Sequence, residues 1–437
     1  MKILKGVLAG IFFIPLLAGA QSTDSLPDQS TEAVVYVAHK VAGVETWVKR
    51  NTPLSGQERD QNQDQGDPVR SRTVSKTFPV DNSDKLMLSN QYGSIEIKTW
   101  ERKEIKVEVD IKAYAKNESD AQELLDQVTI ESGKTSDGVL FRTKMDQDRN
   151  MGSGSRNGRK WRREVRVNYV VYMPSVNAVN LSQTYGSIVM PDMGGAVYAK
   201  VQYGNFTAEN LRNSNNYISV QYGNTNIQRV NSAVVKQQYG SGCTIGAIGT
   251  LNLDAEYSAV TINTIRGDAT IKQQYGSGLS VGSVENLNLD IQYASVNVGT
   301  IRGNATIRQQ YNSLAIGTVG RLNLKAEYCN TSVGVLRGDA NFDMEYNNLN
   351  IKEVTTACKA LNIDGDYVGM SIFFNDAFNA DVSVHTSYAP FKFGNEVSVR
   401  QTGDTDDSST KDYIGKIGNG GTARVKITAD YGSVTFK

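Results

Sequence analysis

Along most of this chain apolar residues recur at every second position, break step, and recur again, and the whole pattern returns after about eighteen residues. The tyrosines mark the period. They fall at 185, 203, 222, 239, 257, 275, 293, 311, 328, 346, 367 and 388, and Tyr92 and Tyr431 share the same local context, each followed by Gly-Ser, so fourteen of the 21 tyrosines belong to one pattern. Around Tyr257 the apolar residues are Leu251, Leu253, Ala255, Val260, Ile262 and Ile265; around Tyr293 they are Leu287, Leu289, Ile291, Val296, Val298 and Ile301. Alternation of this kind predicts short strands with one face buried. The parity slips by one just after the tyrosine, where Gly, Asn, Ser or Ala sits, which predicts a corner there. A second corner is expected at Arg266-Gly267-Asp268 and its equivalents.

Two short strands and two corners cannot bury an apolar face alone. Identical units stacked about 4.8 Å apart can, with every backbone group pairing to the unit above and below. The predicted class is therefore all-β, a single-stranded parallel β-solenoid (β-helix), and a right-handed coil is favoured because β-crossover-β connections take that hand. Three positions before the tyrosine the residues run Lys236, Asp254, Lys272, Asp290, Arg308, Lys325, Asp343. The alternation of the first five predicts a column that specifies register, since a slip of one coil sets like charges side by side. Two positions before the tyrosine, Gln237, Gln273 and Gln309 alternate with Ala255, Ile291 and Ala326, and inward amides there require hydrogen-bond partners.

The flanks read differently. Lys2, Lys5, the apolar run Val7 to Leu17 and Ala18-Gly19-Ala20 match a secretory signal peptide over residues 1–20, too short to span a bilayer. Residues 21–72 form a polar segment in which Glu32 to Arg50 suggests a short helix and Gln57 to Asp67 a disordered spacer. Residues 73–178 are expected to be an N-terminal β-rich cap with strands at 86–88, 94–98, 104–113 and 165–172 and one helix at 118–128. Residues 179–395 are the solenoid repeats, and 396–437 a C-terminal cap with closing strands, because each end of a solenoid must hide an apolar coil and an unpaired edge.

The motifs Asn90-Gln91-Tyr92-Gly93-Ser94-Ile95-Glu96-Ile97 with Trp100, Gln183-Thr184-Tyr185-Gly186-Ser187-Ile188, and Ala429-Asp430-Tyr431-Gly432-Ser433-Val434 resemble the putative adhesin (toastrack) domain of exported or membrane-tethered bacterial proteins. The resemblance spans about residues 73–437 and implies adhesion, a label that rests on architecture, with fold alone leaving function open.

Composition narrows the chemistry. The 46 Lys and Arg balance 46 Asp and Glu, so no global field favours nucleic acid or an anionic membrane. Cys243, Cys329 and Cys358 are too sparse for a disulfide scaffold and read as core fillers. His39 and His385 lie far apart, Asp404, Asp406 and Asp407 lack a calcium-loop spacing, and no nucleophile elbow, phosphate loop or dinucleotide fingerprint occurs, so no enzyme, metal or cofactor is expected. Two features remain as contact sites for a polymer or surface. One is the basic run Arg159, Lys160, Trp161, Arg162, Arg163, whose bland alternative is a solvated hairpin. The other is Arg266, Arg302 and Arg337, spaced two coils apart at a corner whose Arg-Gly-Asp or Arg-Gly-Asn otherwise reads as turn chemistry.

These features predict a non-catalytic exported protein, in the periplasm, at the cell surface or secreted, acting as an adhesin or binding scaffold. Envelope polysaccharide, another surface protein or a second copy are the expected partners. The competing readings are a β-helix polysaccharide-degrading enzyme and a periplasmic scaffold in envelope-stress sensing.

Overall fold

The computed structural model describes residues 37–41, 44–48, 69–145, 151–156, 159–402 and 409–437. The signal segment, the 57–67 spacer and the loop carrying Asp404, Asp406 and Asp407 lie outside the described residues.

In the first of two compact units, the expected short helix is replaced by an antiparallel hairpin of Val37–Val41 and Val44–Val48, with Val37 opposite Val48 and Val41 opposite Val44. Four β-branched valines at these positions favour extended backbone over helix.

The second unit, Gly66–Lys437, is a parallel β-solenoid whose coils contribute one strand to each of two sheets. The strand preceding each tyrosine builds one sheet and the strand following it builds the other. Register follows the sequence period: Lys236 pairs with Asp254, Asp254 with Lys272, Lys272 with Asp290, and Asp290 with Arg308. The alternating charges thus form one column. Their side chains remain apart, and among the described residues only Lys325 and Asp343 in this column close an ion pair, at 3.0 Å. The column opposes a slip of register through Coulomb interactions across solvent, each worth well under about 1 kcal/mol.

Inward positions are filled as the alternation requires. Leu251, Leu253, Ala255, Val260, Ile262 and Ile265 are all buried in one continuous core, and each large side chain contributes about 2 kcal/mol by leaving water. Cys243, Cys329 and Cys358 are buried free thiols in that core, with burial pushing their pKa up to about 12, 11 and 11. Their reading as core fillers fits these positions.

The N-terminal cap is less separate than the sequence suggested. Strand Lys85–Gln91 pairs in parallel with Ala178–Thr184, and Ile95–Thr99 pairs with Ile188–Met190, so the Tyr92 coil is the first rung of the solenoid itself. Residues 100–177 are an excursion between the first and second rungs. Within it Glu104–Tyr114 and Arg159–Met173 pair antiparallel, and Val69–Pro79 covers the edge of the first. Helix Glu118–Asp126 is capped by Asn117, whose side chain accepts from the Asp120 amide, and it buries Ala121, Leu124 and Leu125. Hidden faces and antiparallel strands terminate the stack here, as an exposed edge requires.

The far end is re-ordered. Strand Ala423–Asp430 inserts between Ala360–Asp366 and Ala380–Ser387, pairing in parallel with both. The Tyr431 rung therefore lies between the Tyr367 and Tyr388 rungs, not after them. Thr410–Ile417 and Val397–Thr402 then add antiparallel to close this sheet. The inserted strand is thus held by a parallel partner on each side, and Ser433–Phe436 likewise pairs with Gly369–Phe374 and Phe391–Lys392 in the other sheet.

The inward glutamines cap corners. Nε2 of Gln237 donates to the Gly223 carbonyl at 2.7 Å, Nε2 of Gln273 to that of Ser258 at 2.8 Å, and Nε2 of Gln309 to that of Ala294 at 2.8 Å. Oε1 of Gln237 accepts from Thr225 Oγ1 at 2.7 Å. At the Thr225 position the next rungs have apolar residues, among them Val260, and Oε1 of Gln273 is left buried without a partner. Val260→Thr supplies the missing donor, so its stability should stay within about 0.5 kcal/mol of the parent, whereas Val281→Thr, with no orphan acceptor to meet, should cost about 1–3 kcal/mol in denaturant melts.

Candidate binding edges

The two corners of the coil form two long edges of the solenoid. At the first, all fourteen repeat tyrosines adopt a left-handed backbone, with φ between 48° and 62°. A non-glycine residue there costs about 1–2 kcal/mol. Sequence reasoning placed the corner one or two residues later because glycine is the usual left-handed residue; the following glycines have ordinary φ values and serve a different purpose. A Cβ on Gly204 or Gly223 would lie 1.8 or 1.7 Å from the carbonyl oxygen of the preceding rung's glycine. These glycines permit backbone contact between rungs.

The left-handed turn aims each ring along the solenoid edge, where it stacks on the next. Centroid separations run from 4.5 Å (Tyr293 to Tyr311) to 5.5 Å (Tyr311 to Tyr328), with interplanar angles of 2° to 15°. Thirteen such steps make a ladder roughly 65 Å long. A stacked pair gives back about 0.5–1.5 kcal/mol, which offsets much of the backbone cost at each corner. Ring faces are consumed by neighbours, while ring edges and hydroxyls remain exposed; Tyr275 is 50% and Tyr388 62% exposed. A hydrogen bond that the Tyr293 hydroxyl donates to Tyr311 raises the pKa of Tyr293, and burial raises that of Tyr346.

Beside the tyrosines runs a column of Gln and Glu. Gln238 Nε2 donates to Glu256 Oε2 at 3.2 Å, Gln274 Nε2 to Gln292 Oε1 at 3.5 Å, and Gln310 Nε2 to Glu327 Oε2 at 3.0 Å. On the other side lies a column of Ser and Asn, in which Ser241 Oγ donates to Asn224 Oδ1 at 2.8 Å.

The second edge carries the arginines. Arg266 lines a groove of about 540 Å³ with Asp192, Asn210, Arg212 and Arg229. There Arg212 pairs with Asp192, Asn210 also donates to Asp192, and Arg229 Nε donates to Asn210 Oδ1 at 2.7 Å. The Asn210 hydrogen bond comes first in holding the Asp192 carboxyl below the usual range. Arg302 lies outside this groove and meets Glu285 at 3.7 Å. Arg337 donates its backbone N–H to Val319 and is exposed. The structure thus groups Arg266 with Arg212 and Arg229, which the sequence reading missed because they sit in the less regular early rungs. The Arg-Gly-Asp acids act as turn residues: Asp268 accepts from Asn286 at 2.8 Å, and Asp339 accepts from the Lys359 and Ala360 amides at 2.8 and 3.0 Å.

The basic run is partly spent internally. Arg162 lies with its guanidinium 3.4 Å from the Tyr114 ring centroid and donates to Glu164 at 3.0 Å, and Arg166 shares that carboxylate at 2.6 Å. Trp161 is 45% exposed and covers Gly154 of the adjoining strand. Arg163 pairs in register with Gly152, and the side chains of Arg159 and Lys160 lie outside the described residues. Among the described residues, no group of three or more His, Cys, Asp and Glu side chains is placed to hold a metal ion, and no helix is long and apolar enough to cross a membrane.

No protein-family model matches the chain, and no curated protein matches it. Solved structures similar to it include a putative cell adhesion protein from Clostridium sporogenes (10% identity, 84% of this chain and 99% of that chain, TM-score 0.19) and a putative adhesin from Parabacteroides merdae (9% identity, 67% and 96%, TM-score 0.23). A third is a putative lipid binding protein from Parabacteroides distasonis (10% identity, 69% and 94%, TM-score 0.21). At these scores the likeness assigns neither residues nor ligand.

Substitutions at one interior rung separate the two energies at the corner. Tyr275→Gly removes both stacks but relieves the left-handed strain, so it should cost less than Tyr275→Ala, which loses the stacks and keeps the strain, at about 1–3 kcal/mol. Tyr275→Val should be the worst of the three, because a β-branched residue resists a positive φ. Denaturant melts that rank Gly as the most damaging would contradict this assignment.

Proposed function

We propose that this chain is a non-catalytic, exported binding scaffold of a bacterial envelope or cell surface, which holds an extended, repetitive partner along the tyrosine edge. The observation that carries the reading is the ladder itself: fourteen phenol groups, thirteen of them 39% to 62% exposed, evenly spaced at about one rung and presented by a backbone stiffened on both sides by parallel pairing. Evenly repeated groups suit a partner with its own repeat, since many weak contacts then form in register and their avidity multiplies. Export is supported by the signal-like segment at residues 1–20.

Co-sedimentation of the full chain with neutral and anionic polysaccharides, followed by sizing of the polymer, tests the reading. Retention of the protein with the polymer chain length unchanged is expected. Progressive shortening of the polymer would favour the polysaccharide-degrading reading, and absence of retention on every polymer would contradict the scaffold.

A further inference from the structure

Ring faces in the ladder are covered by neighbouring rings, so what the edge offers a partner is hydroxyl groups and ring edges. That geometry disfavours flat apolar partners, which need an open aromatic face, and favours partners that hydrogen-bond repeatedly. The flanking columns point the same way. On six of the seven rungs from Tyr203 to Tyr311 a phenol stands between a glutamine on one side and a Ser or Asn on the other, as in Gln274, Tyr275, Ser277 and Gln292, Tyr293, Ser295; the Tyr257 rung carries Glu256 and Ala259 instead. On those six rungs all are hydrogen-bonding groups with both donors and acceptors.

Charge selects further. From Gln202 through Gln310 the column preceding the tyrosines contains a single carboxylate, Glu256; beyond it Glu327, Glu345, Asp366 and Asp430 occupy successive rungs, with Glu327 in register with Glu345, Glu345 with Asp366, and Asp366 with Asp430. The neutral stretch offers little Coulomb attraction to an anionic polymer, and the acidic stretch repels one. A pyranose in an extended, equatorially linked chain is about as long as one rung. Such a chain therefore advances one sugar per tyrosine and keeps its hydroxyls in step with the three columns.

Resting on the reading of the tyrosine edge as the binding edge, we infer that the ligand is a neutral, extended polysaccharide lying along rungs Tyr203 to Tyr311, recognised by hydrogen bonds to phenol, amide and hydroxyl columns.

The test compares the full chain with a quadruple variant, Tyr239→Phe, Tyr257→Phe, Tyr275→Phe and Tyr293→Phe, which keeps the stacked rings and removes the hydroxyls. A second variant, Gln274→Ala, Gln292→Ala and Gln310→Ala, clears the neighbouring column, and a third, Arg266→Ala, Arg302→Ala and Arg337→Ala, changes only the other edge. Cellulose, xylan and mannan serve as neutral probes, and alginate and heparin as anionic ones. The first two variants should lose at least about tenfold in affinity for a neutral glycan while melting like the parent, and the third should bind unchanged at any salt concentration. Parent-like neutral-glycan binding by the phenylalanine variant overturns the inference. Binding confined to anionic glycans and lost in the arginine variant also overturns it but leaves the polymer scaffold standing; failure of the parent to bind any polymer removes the scaffold reading too.

Discussion

The structure depends on one local constraint, a tyrosine forced into the left-handed region at every first corner. Taken singly this is unfavourable, because the Cβ crowds its own backbone. Repeated at the coil period it becomes self-supporting: the turn reverses inward and outward parity, points each ring along the solenoid edge, and sets it on its neighbours. The backbone takes part as well, with the Tyr257 amide donating to the Gln274 carbonyl at 3.0 Å and the Tyr275 amide to Gln292 at 3.1 Å. Strain and its compensation therefore lie in the same residue, and neither exists in an isolated coil.

The ends follow from the same constraint. A stack held by rung-to-rung contacts must stop somewhere, and both ends stop by switching to antiparallel strands. At the N-terminal end a long excursion is built between two rungs that nevertheless stack directly, with Tyr92 and Tyr185 rings 5.1 Å apart. At the C-terminal end the final strand returns into the stack, so that the Tyr431 ring lies 4.9 Å from Tyr367 and 5.0 Å from Tyr388. Chain order and spatial order part company, yet the ladder has no gap.

Much of this was legible in the sequence because a solenoid turns sequence period directly into spatial register. The pairing of Lys236 with Asp254, and of Asp254 with Lys272, follows from counting residues. What counting could not reveal was the order of the last rungs: Tyr388 stands 21 residues after Tyr367, but the Gly-Ser that marks a rung follows Tyr431, and only strand pairing decides which lies between. The left-handed tyrosine was hidden by an adjacent glycine, the residue ordinarily assigned that conformation. Charge patterns were read more generously than geometry allows. The alternating column aligns without closing most of its pairs, and Arg162 of the basic run is held by Glu164 and Tyr114. The groove of Arg212, Arg229 and Arg266 went unseen because its members come from rungs of unequal length.

Amide hydrogen exchange across the solenoid tests the central claim most directly. If the tyrosine corners are structural joints, the amides of Tyr203, Tyr222, Tyr239, Tyr257, Tyr275 and Tyr293 should exchange as slowly as those of the inward strand residues Leu253 and Ile271, with faster exchange confined to the two ends. Corner amides that exchange at loop-like rates while the strands stay protected would contradict the account, showing that the core alone holds the rungs and that the ladder merely decorates them.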